Sequence, residues 1–173
     1  MKKKVIGVYA LVLILVFALS TLAFADDEEF AASPCDYKKY GLDAEKFFIY
    51  LTKDTPYTSW QLWPDKGKLQ PGKEPHGSFL STYVNPVAYE SITQKKDMAF
   101  GSLIVVENYG PDKKLIDLSV KIKIKGFNPV AGDWHWFHYA PDGKVMETGK
   151  IGACIECHGK MKENDYIMTA PVK

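Results

Sequence analysis

Apolar and polar side chains alternate most clearly between residues 116 and 125. Ile116, Leu118, Val120, Ile122 and Ile124 share one parity, and Asp117, Ser119, Lys121, Lys123 and Lys125 share the other. A period of two predicts a β-strand with one face in the core and one in water. Residues 102–109 form a β-branched apolar run that ends at Gly110-Pro111-Asp112, a turn signal. Residues 134–139 alternate again, and Pro141-Asp142-Gly143 folds them back onto residues 144–147 as a hairpin. Consecutive strands joined by short turns predict an antiparallel sheet.

The first half of the chain carries shorter signals. Ala44, Phe47, Phe48 and Leu51 recur at helical spacing behind Asp43, which can cap the helix start. Around Trp60 and Trp63 a Pro-, Gly- and Lys-rich stretch runs to Pro75 and reads as an irregular wrap pinned by aromatic rings. Residues 78–84 alternate like a strand. Asn85-Pro86 is a cap followed by a first-turn proline, which starts a short helix towards Gln94. The expected fold is α+β: a single domain dominated by an antiparallel β-sheet, with a few short helices and a C-terminal segment attached to it.

At the N-terminus Lys2, Lys3 and Lys4 precede an apolar run over residues 5–19, and Ala23-Phe24-Ala25 places small residues where a signal peptidase reads. This is the pattern of a secretory signal peptide over residues 1–25; retention as a membrane anchor is the alternative. Residues 26–42 then form a flexible lead-in, and residues 43–173 the folded domain. Cleavage after Ala25 leaves 148 residues with 19 basic and 21 acidic side chains, a formal charge of −2. Export places the protein in the periplasm.

Composition narrows the function. At 46% hydrophobic and 13% aromatic, the chain has the material for a packed core. All 22 basic residues are Lys, so no guanidinium fork can clamp phosphates or guanine edges, and the absence of a basic excess speaks against a nucleic-acid partner.

Cys154-Ile155-Glu156-Cys157-His158 is the C-x-x-C-H arrangement of c-type haem attachment. Two thiols at this spacing can reach the two vinyl groups of one porphyrin edge, and the adjacent imidazole is placed to bind the iron from the proximal side. The expected cofactor is one covalently attached haem c held by Cys154 and Cys157, with His158 as the metal ligand. A redox dithiol would need a thioredoxin-like context and gives His158 no role. A zinc site would need additional ligands, with His76, His135 and His138 the remaining imidazoles. A Cys154–Cys157 disulfide would close a loop too short to constrain much. Cys35 is left over, either as an incidental thiol or as an intermolecular bridge.

The second axial position decides the function. Met98, Met146, Met168, His76, His135 and His138 are formal candidates, and Met161 lies too close in chain to His158 to reach the other face. His135 and His138 fall on opposite faces of their strand, where a structural role suits each.

A series of short motifs resembles the cytochrome P-460 family, which includes hydroxylamine-oxidising cytochromes P-460 and gas-binding cytochromes c′-beta. The series runs through Trp60 and Trp63, Pro75-His76-Gly77, Tyr83-Val84-Asn85, Phe100-Gly101-Ser102 and Val106-Glu107-Asn108-Tyr109. It continues through Lys125-Gly126-Phe127 and Gly132-Asp133-Trp134-His135-Trp136, and ends in the haem motif with Asp165-Tyr166 and Thr169 after it. The resemblance implies a homodimer carrying a five-coordinate haem above an antiparallel sheet, with His158 proximal and an open distal side for small gaseous or nitrogen-oxide ligands such as NO or hydroxylamine.

In the enzyme branch of the family a Lys is additionally bonded to the porphyrin. Many relatives carry Lys immediately before the strand glutamate, where this chain has Val106, and Lys95 and Lys96 are the nearest substitutes. Glu107 is a candidate catalytic acid on the distal side or an outward strand residue, and Phe100 a candidate cap or a core residue. The first reading is an exported monohaem cytochrome that binds or reacts with small nitrogen oxides and exchanges electrons with a redox partner protein. The alternatives are a hydroxylamine oxidase with a Lys–haem link and a six-coordinate electron carrier.

Overall fold

The computed structural model describes residues 42–173. The proposed leader, the lead-in as far as residue 41, and Cys35 lie outside the described residues. Among the described residues no helix is long and apolar enough to cross a membrane.

Helix α1 (Ala44–Ile49) starts where Asp43 accepts from the Lys46 N–H, and it runs into a wider turn over Tyr50–Asp54. Two short strands, β1 (Gln61–Leu62) and β2 (Gln70–Pro71), follow inside the stretch expected to be irregular. Both lie along one edge of β3 (Phe79–Val84). Helix α2 (Pro86–Thr93) begins as expected, with Asn85 capping the Ala88 N–H and Pro86 in the first turn. The remaining strands are β4 (Leu103–Tyr109), β5 (Leu115–Lys123), β6 (Trp134–Tyr139) and β7 (Val145–Gly149), and helix α3 (Gly152–Gly159) follows them. The seven strands make one antiparallel sheet in the order β1-β3-β4-β5-β6-β7, with β2 beside β1 on β3. The α+β, sheet-dominated architecture is therefore present.

The sheet differs from expectation in being covered on both faces. On one side Tyr83, Leu103, Val105, Leu118, Val120, Ile122, Phe137 and Tyr139 pack with Phe47 and Leu51 of the α1 region. On the other, Val84, Ile104, Trp134 and Trp136 pack with Ala88 and Ile92 of α2 and with Ile167 and Val172 of the C-terminal segment. The polar parity of β5 thus does not face water throughout: Lys121 is only 6% exposed and Ser119 and Lys123 are half-buried. β6 shows why, since Trp134 and Trp136 point to one face while Phe137 and Tyr139 point to the other. A strand with large apolar side chains on both parities belongs to a sheet buried on both sides.

The C-terminal segment is clipped down by Asn164. Its amide donates to the carbonyls of Ile167 and Ala170 and its oxygen accepts from the Val172 N–H, which returns the chain end to the sheet.

Candidate functional site

Cys154, Cys157 and His158 all lie on α3. Residues three and four apart share a helix face, so both thiols and the imidazole present themselves together. Cys154 and Ile155 pack against the sheet face that carries Ile104, Val106, Trp134 and Trp136. Both cysteines are free thiols, and burial pushes the Cys154 thiol pKa up.

His158 is held by its backbone-facing nitrogen. Nδ1 lies 2.8 Å from the Tyr166 carbonyl, and because a carbonyl only accepts, Nδ1 carries the proton. The Nε2 lone pair is thereby bared, as in metal-ligating histidines oriented by a second partner. Burial, and then the nearby Lys121 charge, push its pKa down to about 4, so the ring is neutral, as a ligand must be.

The Tyr166 carbonyl is itself fixed. Asp165 and Tyr166 both have positive φ (52° and 61°), an uncommon conformation for side chains other than glycine. The Asp165 carboxylate accepts from the Met98 N–H and binds Lys123, while the Trp134 indole donates to the Asp165 carbonyl at 3.0 Å. Lys121 Nζ donates to the same Tyr166 carbonyl at 2.8 Å and lies 4.4 and 4.9 Å from the ring centres of Trp134 and Trp136. Burial pushes its pKa down to about 7.

His76 arrives from the β2–β3 loop. Its N–H donates to the Lys73 carbonyl, and Gly77 follows at φ +82° with no room for a Cβ, which would stand 2.7 Å from the Tyr109 carbonyl. Gly77→Ala is expected to lower stability by at least about 1 kcal/mol through left-handed backbone strain alone, with the close approach adding to it. An unchanged thermal midpoint would contradict the tight seat. The His76 ring stands over the Cys154 face of the sheet, with Nδ1 3.4 Å from Ser119 Oγ and its centre 6.2 Å from that of His158.

Several other candidates are not brought together with α3. Glu107 is buried on the opposite face, where it accepts from Tyr57 at 3.0 Å and Tyr109 at 2.6 Å. Strand neighbours point to opposite faces, and Val106 packs on the Cys154 side. Glu107 is thus neither an outward residue nor placed as a distal acid: it is an acceptor for tyrosines, and with burial it pushes the Tyr109 pKa up to about 12. Phe100 is half exposed, and Lys95 and Lys96 are exposed. His135 is enclosed on the α1 side, whereas His138 pairs with Asp117.

Sequence reasoning missed Lys121, Asp165 and the Tyr166 carbonyl. The available signal was β6, whose aromatics on both parities announce a second buried face.

These residues fit a haem. Two free thiols and a neutral imidazole with bare Nε2 share one helix face, and Trp136 lies 4.7 Å from His158 between ring centres. The buried Trp136 Nε1–H has no hydrogen-bond partner among the described residues, as expected where a group from outside the polypeptide completes the site. Among the described residues no group of three or more His, Cys, Asp or Glu side chains could hold a bare metal ion. No curated protein matches the chain. The cytochrome P460 family model does match, over residues 55–169, a span that takes in the whole sheet, α3 and Tyr166. The chain therefore belongs to the cytochrome P460 family of haem cytochromes.

Proposed function

We propose that the protein is an exported, periplasmic monohaem c-type cytochrome that exchanges electrons with a redox partner protein and reacts with small nitrogen-oxide ligands. The observation that carries this reading is the α3 face, where Cys154 and Cys157 stand beside a histidine whose Nδ1 is committed to the Tyr166 carbonyl. When bound, the haem would supply an iron that changes oxidation state and can bind a small ligand. The two cysteines would anchor it as thioethers, and His158 Nε2 would bind the metal. Trp134 and Trp136 exclude water, and Lys121 holds the Tyr166 carbonyl from its other side, so His158 keeps one tautomer. A homodimer is the assembly that the family resemblance supplies.

Hydroxylamine oxidation through a Lys-linked haem has less support. Val106 stands where many relatives carry Lys, and Lys95 and Lys96 are exposed beyond α2. The test uses a host competent for cytochrome maturation. The wild type should keep haem through a denaturing gel, and Cys157→Ser should lose most of that stain or retain a singly tethered haem with a shifted haemochrome band. A colourless wild type, or a variant identical to it, would overturn the attachment.

A further inference from the structure

We infer that His76 is the protein's own ligand on the second face of the haem iron, opposite His158. The inference rests on the haem reading above and assigns the position that the sequence left among several candidates.

Three observations carry it. The first is placement: His76 and His158 come from different elements, a loop before β3 and the helix after β7, yet their rings meet over one sheet face. The second is spacing. When two imidazoles bind one metal from opposite sides, each nitrogen lies about 2 Å from it, so the nitrogens stand roughly 4 Å apart and the ring centres roughly 6 Å apart. The observed ring-centre separation is 6.2 Å, with the ring planes perpendicular.

The third is the seat of the His76 ring. Ser119 Oγ accepts from the Asn108 amide at 2.8 Å and lies 3.4 Å from His76 Nδ1, so this nitrogen is engaged by the protein. Asn108 is in turn held by Asp117. With Nδ1 engaged by Ser119, Nε2 is the His76 nitrogen left for a metal. The seat is rigid, because the Ser78 N–H bonds the Tyr109 carbonyl and Gly77 is pressed against the same group.

The functional consequence is a gated iron. Small ligands must displace His76, so their apparent affinity falls by the fraction of time the histidine is off.

The experiment takes the mature holoprotein, ferric and dithionite-reduced, through visible absorption and electron paramagnetic resonance. Covalent haem is checked first on a denaturing gel. The wild type should be six-coordinate and low-spin. His76→Ala should turn high-spin in the ferric form, and CO should bind its ferrous form at least about tenfold more tightly. His76→Gly should regain the low-spin spectrum when imidazole is added, which separates a lost ligand from a damaged fold. Covalent haem with a high-spin wild-type iron, or variants that keep the wild-type low-spin spectrum, would overturn the assignment of His76 and leave the haem reading standing. A wild type without covalent haem would overturn both.

Discussion

Asp165→Asn is expected to cost about 3–5 kcal/mol of folding stability, the usual effect of removing one partner from a buried ion pair. Asn tolerates the left-handed backbone at this position, and its amide oxygen can still accept from the Met98 N–H. The substitution therefore isolates the charge. The Lys123 ammonium, with only 12% of its side chain exposed, loses its carboxylate and keeps its desolvation cost. Urea unfolding at neutral pH measures the loss. The double variant Lys123→Met/Asp165→Asn should recover much of it, because no uncompensated charge remains. A loss below about 1 kcal/mol would mean that the pair is solvated and carries little. The same residue sets the turn that presents the Tyr166 carbonyl, so the single variant should also broaden the His158 environment, visible as heterogeneity in the haem spectrum.

Between about pH 6.5 and pH 4 the protein should lose roughly 3 kcal/mol of stability through His135 alone, from the size of its pKa displacement. His135 is 1% exposed and lies between Phe127 and Phe137, with ring centres at 4.5 and 4.2 Å. Its Nδ1 accepts from the Leu42 N–H at 3.3 Å, so Nε2 carries the proton and donates to Thr148 at 3.1 Å. Protonating Nδ1 would destroy the first bond and bury a cation in the stack between two phenyl rings, away from water.

Burial accordingly pushes the pKa down to about 4. The folded value lies below the unfolded one, so the neutral folded form is fully favoured above the unfolded value near 6.5. Below it the unfolded chain gains a proton that the folded one refuses. Stability falls with pH until the folded value is passed. His135→Gln can still accept and donate but cannot titrate. It should start less stable at pH 7 and show a flatter decline to pH 4. Parallel pH profiles for the two proteins would place the acid sensitivity elsewhere.

Much of the architecture could be read locally. The β5 alternation, the Asn85-Pro86 helix start, the Asp43 cap and the turn at residues 141–143 depend on side chains close in sequence, and each element formed where its pattern lay. β1 and β2 were not legible, because two-residue strands have no period of their own and exist only by pairing with β3. Glu107 was misjudged for a related reason: alternation gives two faces but does not say which of them receives the C-terminal segment.

The amino-acid order alone determined the elements and the grouping of Cys154, Cys157 and His158, since spacing within one helix fixes which side chains share a face. Only the tertiary structure decided that Lys121 is buried, that the Tyr166 carbonyl orients His158, and that His76 stands across from it. Those contacts join segments far apart in the chain, and their geometry follows from how both faces of the sheet are covered, which no local pattern encodes.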